Sequence, residues 1–472
     1  MSFIFYDTET TGLDTTFGQI LQFAAVRTDE NFQEVDRFEI RSRLMPHVVA
    51  SPGAMRVTKV SANALSDPAI PSHYQMVSAI RQKLLEWSPA IFIGYNSIGY
   101  DEPLLRQAFY QSLYSTYLTN TNGNRRMDAL KVVQAASVFA PDVLTIPVNA
   151  KGRPIFKLEQ CAPANGFDHA NAHDALADVL ATVHLCRLVA QRAPELWQSL
   201  SSLSTKAAAT SFIRDNEVFC LTEFYYGRAF PMLVTSIGTG GEGGSSTFVY
   251  DLNVDPELLA QETDERLAAR LGGSPKVVRS IRLNSAPVLL SADHAPQDLD
   301  SARLGMHELS TRARRLKGDP QLCERLIAAV EASWDEREPP VHVEERIYEG
   351  FPSREDEQRL SKFHSLPWEG RMPLLREIED ERLRQLGQRI IYMEAPHVLS
   401  DEVRSRIDAE IARRVMGVGH DPKWLTIPVA IDEADELLSE AETTDEVTLL
   451  TEHKERLILM QNAVLAMLSA QS

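Results

Sequence analysis

The sequence predicts an α/β protein in three parts: a mixed-sheet domain over residues 1–192, a β-rich domain over 201–345 and a helical domain over 349–472. Three observations predict it. Up to Arg192, short apolar runs of strand length alternate with longer stretches of helical period. Beyond Arg192 the apolar pieces shorten and become β-like. From Glu349 onward apolar residues recur at helical spacing almost without a break. A chain of 472 residues is long enough to bury several separate cores.

Residues 3–6 are a compact apolar run ending at Asp7, the pattern of a buried strand. Thr10-Thr11-Gly12-Leu13-Asp14 reads as a turn. Residues 19–28 and 38–44 are strand-like and suggest a meander. Over 73–87, Met76, Ile80, Leu84 and Leu85 fall at helical spacing. Residues 90–95 form a second apolar strand, closed by Gly94 and Asn96. Helical period returns over 101–117, with Leu104, Leu105, Ala108, Phe109 and Leu113 on one side, then over 128–139 and over the Ala-, Leu- and Val-rich 174–189. Strands first, then strands interleaved with helices, give a mixed sheet. The middle part holds β pieces at 218–222, 247–252, 277–283 and 287–291, with helical inserts at 256–271 and 320–331. Its glycine-rich stretch, 238–246, reads as a mobile hairpin tip. The last part carries helices at 354–364, 374–389, 401–415, 430–442 and 446–470, a bundle packed on the rest. There is no internal repeat.

Composition narrows the class. Hydrophobic residues make up 44% and charged residues 24%, ordinary for a soluble globular chain. No apolar run approaches the ~20 residues needed to span a bilayer. The start, Met1-Ser2-Phe3-Ile4-Phe5-Tyr6-Asp7, lacks the basic region of a signal peptide. Cys161, Cys186, Cys220 and Cys323 are too widely spaced for a metal knuckle or a disulfide framework, so a reducing cytoplasm fits. The formal net charge of −18 makes any phosphate-binding surface local. Local basic groups exist at Arg125-Arg126, at Lys151, Arg153 and Lys157, and at Arg312, Arg314, Arg315 and Lys317.

The chemistry concentrates in the first 180 or so residues. In Asp7-Thr8-Glu9 the two acids are two apart at a strand end, so both point to one face. Buried like charges repel, and a divalent cation with a taste for hard oxygen, Mg²⁺ or Mn²⁺, would neutralise them. Asp101 opens one helix and Asp178 lies within another that is otherwise apolar. The plainer readings are an N-cap for Asp101 and a polar helix face for Asp178. His173 lies five residues before Asp178, where a loop can place it beside a metal-bound water.

Together these residues resemble the DEDD exonucleases. Asp7-Thr8-Glu9-Thr10-Thr11-Gly12, then Gly94-Tyr95-Asn96 with Asp101, then His173-Asp174-Ala175 with Asp178 match that family's three motifs in order, and the His-x₄-Asp spacing marks its histidine subclass. Asp101-Glu102, Phe156-Lys157-Leu158-Glu159, Ala164-Asn165-Gly166 and Asn171-Ala172-His173-Asp174 are further similar to bacterial exonuclease I. The resemblance implies an RNase H-like exonuclease domain, an SH3-like domain and a carboxy-terminal helical domain. It implies 3′→5′ digestion of single-stranded DNA to 5′ mononucleotides, in DNA repair and recombination, by a monomer. Asp7, Glu9 and Asp178 would hold two Mg²⁺ ions, for which Mn²⁺ may stand in; Asp101 would assist, and His173 would be the general base. Glu9, Arg106, Tyr117 and Lys157 would touch the strand. The single-stranded DNA-binding protein would dock through its acidic tail on Arg312, Arg314, Arg315 and Lys317, where the plainer reading is a solvated basic helix face. The motifs alone also admit a proofreading or RNA-trimming 3′ exonuclease, and a non-catalytic nucleic-acid-binding protein.

Overall fold

The computed structural model describes residues 2–168, 173–334, 338–419 and 421–470. Five strands build the first sheet: β1 (Phe3–Thr10), β2 (Ile20–Thr28), β3 (Glu34–Arg41), β4 (Ile91–Gly94) and β5 (Arg125–Asp128). Their order is β3-β2-β1-β4-β5, with β1 central. The β1–β2 and β2–β3 pairs are antiparallel, and β4 joins β1 and β5 in parallel. The sheet is therefore mixed, as its sequence pattern implies. The four residues of β4 are all buried, which suits a strand covered on both faces.

The period of two along β1 divides the core. Phe3 and Phe5 enter one apolar cluster with Val179 and Leu185 of the Ala175–Arg192 helix. Ile4 and Tyr6 enter another with Met76 and Ile80 of the His73–Trp87 helix and Leu104 and Leu105 of the Asp101–Gln111 helix. That last helix ends at Gln111, short of the expected 117, because Leu113 adopts a left-handed φ of 62°.

The second sheet is antiparallel throughout: β6 (Phe219–Tyr225), β7 (Arg228–Gly240), β8 (Ser246–Asp251), β9 (Val278–Ile281) and β10 (Val288–Ser291), in the order β10-β6-β7-β8-β9. Tyr226 and Gly227, both at positive φ, make the two-residue turn that joins β6 to β7. The glycine-rich segment is the tip of the β7–β8 hairpin, and it is tied down: Gly241 N–H donates to Glu331 Oε1 at 2.6 Å. Residues 206–215, expected in the β-rich part, are instead a helix.

The helices Arg354–Ser365, Trp368–Leu375, Glu381–Glu394, Asp401–Met416, Ile427–Glu440 and Thr444–Ala470 complete the chain. The expected helix over 374–389 is two helices, the second restarting where Asp380 caps the Arg382 amide. This bundle shares a core with the first part: Tyr74, Tyr110 and Leu113 lie in one apolar cluster with Phe363, Leu374 and Leu386. All four cysteines are buried and free. Among the described residues no helix is long and apolar enough to cross a membrane.

Candidate active site

β1 pairs with β4 only over Phe3–Phe5, and β4 stops at Gly94. The β1–β4 pairing ends at Phe5, so the site lies at the carboxyl ends of these strands, the usual place for one in such sheets. Gly94 permits the narrow approach: a Cβ there would lie 2.5 Å from Ser97 Cβ and 2.9 Å from the Tyr6 carbonyl oxygen. Asp7 and Glu9 continue the Phe3 and Phe5 face of β1, toward the Ala175–Arg192 helix. Asp178 stands in the first turn of that helix. The carboxylates of Asp7, Glu9 and Asp178 offer oxygens that all lie within 4.8 Å of one another.

Asp101 and His173 lie outside this group of three. Thr8, on the opposite face of β1, donates to Asp101 Oδ1 at 2.5 Å, which sets Asp101 behind the strand's edge. Next to it Glu102 is buried and accepts from Arg126, Arg106 and Thr119. His173 is exposed, at a left-handed φ of 68°, just before the cap of the Ala175–Arg192 helix. Asn171 and Ala172 of the same motif lie outside the described residues.

The acids repel. Burial, then Asp101, Asp178 and Glu9, raise the Asp7 carboxyl well above its ordinary range. Burial, with Asp178, Asp101 and Asp174, pushes Glu9 up to about 8, and Arg41 opposes this. Burial lifts Asp101 to about 7 against the Thr8 hydrogen bond. Asp174 was not singled out by its sequence, and its role is visible only in space. It caps Ala177 N–H, accepts from Gln22 Nε2 and pairs with Arg41 at 3.1 Å.

The expected strand contacts are scattered. Lys157 is exposed, with its Nζ 3.5 Å from Glu159. Arg106 is largely buried: its Nε donates to Glu102 at 3.0 Å, and its guanidinium covers the Tyr117 ring at 5.0 Å. Tyr117 in turn meets Phe351, ring centroids 5.7 Å apart. Phe351 is 78% exposed and Tyr348 60%. No spacing links these two aromatics to the first 180 or so residues, which is why the sequence alone passes over them.

The basic segment at 312–317 lies on the Gly305–Gly318 helix. Arg312 is turned inward, bonded to Glu308 and to the carbonyls of Leu252 and Asn253, so it is a structural residue. Arg315 pairs with Asp255 and Glu257, and Lys317 with Glu217.

The family model described as Exonuclease matches residues 4–186, the span that holds the carboxylates. Exodeoxyribonuclease I of Escherichia coli (strain K12) is 28% identical over 370 residues, 75% of this chain and 77% of that protein. The chain is similar to bacterial exonuclease I along most of its length. Exodeoxyribonuclease I of Haemophilus influenzae is 26% identical over 82% of this chain and 84% of that protein. The fold of the family extends over the whole molecule. The crystal structure of E. coli exonuclease I in complex with a dA16 oligonucleotide superposes with a TM-score of 0.83, at 23% identity, covering 97% of this chain and 99% of that one.

Proposed function

We propose that the chain is an exodeoxyribonuclease that removes 5′ mononucleotides from the 3′ end of single-stranded DNA, acting as a monomer in the cytoplasm, in repair and recombination. The convergence of Asp7, Glu9 and Asp178 within 4.8 Å at the strand ends carries this reading. Three hard carboxylate oxygen donors, with Arg41 opposing their charge, suit Mg²⁺, with Mn²⁺ as a substitute. When bound, two such ions activate a water and stabilise the charge that builds on the phosphate and the leaving 3′ oxygen. Asp7, Glu9 and Asp178 would hold them, and Asp101 would add negative charge from behind β1. His173, exposed just ahead of the Ala175–Arg192 helix, accepts the proton of the attacking water. Tyr117 and Phe351 offer faces on which bases stack regardless of sequence, and Lys157 meets the backbone. Arg106 holds Tyr117 in place. Docking of the single-stranded DNA-binding protein's acidic tail, if it uses the 312–317 helix, falls to Arg314, Arg315 and Lys317.

The test is digestion of single-stranded oligonucleotides labelled at either end. In Mg²⁺ the 3′ label should appear at once as a mononucleotide, while the 5′ label descends a ladder. Chelation should stop both, and RNA should resist. Early release of the 5′ label, or equal digestion of RNA, would reject the assignment.

A further inference from the structure

A cavity of about 310 Å³ lies away from the carboxylates, where the Glu381–Glu394 and Asp401–Met416 helices meet the first part of the chain. Three arginines line it, Arg389, Arg413 and Arg414, against one glutamate, Glu410, which sits 4.0 Å from Arg406. Arg389 and Arg414 both bond Glu344 Oε1, at 2.8 and 3.0 Å, so two guanidiniums share one carboxylate, with Asp14 a further acid acting on Arg414. The Arg414 Nε is buried with no acceptor. His47, only 5% exposed, lines the same space with an unpartnered Nδ1. Burial, and after it the neighbouring arginines, keep it neutral. The Arg413 guanidinium and the Gln388 amide make no hydrogen bond among the described residues. The remaining wall is apolar: Ile407, Ile411, Val418, Pro422 and the Trp424 ring.

Buried donors without acceptors cost free energy unless something accepts from them. An excess of guanidinium beside an apolar wall calls for an anion that also carries a flat apolar body. We propose that this cavity binds a nucleoside monophosphate, its phosphate facing Arg413, Gln388 and His47 and its base lying on the apolar wall. The volume admits one nucleotide and no more than a short stretch of strand. The exonuclease reading supplies the ligand's source, since a mononucleotide is the product of every turnover.

His47, Arg414 and Trp424 also wall a second space, whose other side is Thr11, Gly12, Leu13 and Phe17 of the loop that follows Glu9. Phe17 packs edge-on to Trp424 at 5.5 Å, and Arg414 lies over both rings. A nucleotide in the cavity therefore bears on the loop behind the carboxylates, and accumulated product slows the enzyme from a distance.

The test is calorimetric titration of the metal-free full-length protein with dAMP, dTMP, deoxyadenosine and inorganic phosphate. Without metal the three carboxylates repel phosphate, so this site is read alone. Saturable binding of both mononucleotides, weaker binding of phosphate and none of deoxyadenosine are expected. Arg413→Glu, at an exposed position, should weaken mononucleotide binding at least tenfold with an unchanged melting temperature. Digestion without added nucleotide should be unaffected, and inhibition by added dAMP should be relieved. No mononucleotide binding, or binding equally tight in Arg413→Glu, overturns the proposal. Phosphate binding as tightly as dAMP overturns the nucleotide assignment. Failure of digestion with binding intact rejects the exonuclease reading instead.

Discussion

Glu9 shows what a nuclease site costs a protein without its metal. Its carboxyl has an ordinary value near 4.5 when the chain is unfolded and about 8 when folded. A raised folded value contributes stability that is complete below pH 4.5 and is lost as the pH rises through 8. Glu9→Gln removes the titration. In chelator it should raise stability by about 2–3 kcal/mol at pH 7 and by nothing at pH 4.5. Added Mg²⁺ should reverse the order, because only the complete site gains from binding. Melting temperatures over that pH range, with and without metal, check this; a variant no more stable than wild type at pH 7 would contradict it. The role proposed for His173 concerns turnover instead. His173→Ala should lower the rate by roughly 10²–10⁴ and erase the rising limb of the pH–rate profile while strand binding persists. An unchanged profile counts against the proton-transfer role. Both residues are legible from their spacing. Asp174 is not, because its partners Gln22 and Arg41 come from strands far away in the chain.

Among the elements, β1 is the easiest to read and β7 the hardest. β1 is an unbroken apolar run that meets its acids two apart. β7 carries Pro231 and ends in glycine, and its pairing with β6 and β8 supplies what its own residues lack. The helix over Asp101–Gln111 is legible but its end is not, since Leu113 keeps the apolar period after the backbone has turned left-handed. The connection that carries Tyr348 and Phe351 has no period at all. Yet it brings exposed rings beside Tyr117, and a stacked base is worth about 1–3 kcal/mol. Phe351→Ala should therefore raise KM for single strands roughly 5- to 100-fold with little change in kcat. Steady-state kinetics on oligonucleotides decide the matter, and a loss confined to kcat would remove Phe351 from the strand's path.

For the molecule as a whole, the succession of sheets and helices can be read from texture, but not how tightly they interlock. Side chains from the first part and the helical part join one cluster through contacts that have no sequence period. The seam is also rich in buried and half-buried histidines. His364 stacks on Tyr114 and bonds the Leu113 carbonyl, His453 bonds the Val60 carbonyl, and His73 and His47 face the late helices. Burial holds His73 and His364 at about 4. A depressed folded value means stability that is present above the unfolded pKa of about 6.5 and is lost as the pH falls to 4. In saturating Mg²⁺, stability should drop over that window by up to about 3 kcal/mol for each such histidine, and His364→Gln should flatten the slope. Denaturant midpoints against pH test this, and an equal slope in the variant excludes His364. The central place of β1 also bears on how the chain reaches this state. Its aromatic half, Phe3–Phe5, needs β4 on one edge, and β4 begins only at Ile91. Until then it is a sticky segment inviting association with other chains, and the charges at Asp7 and Glu9 sit at its end as gatekeepers. The acids that strain the finished, metal-free fold thus protect the unfinished one from aggregation.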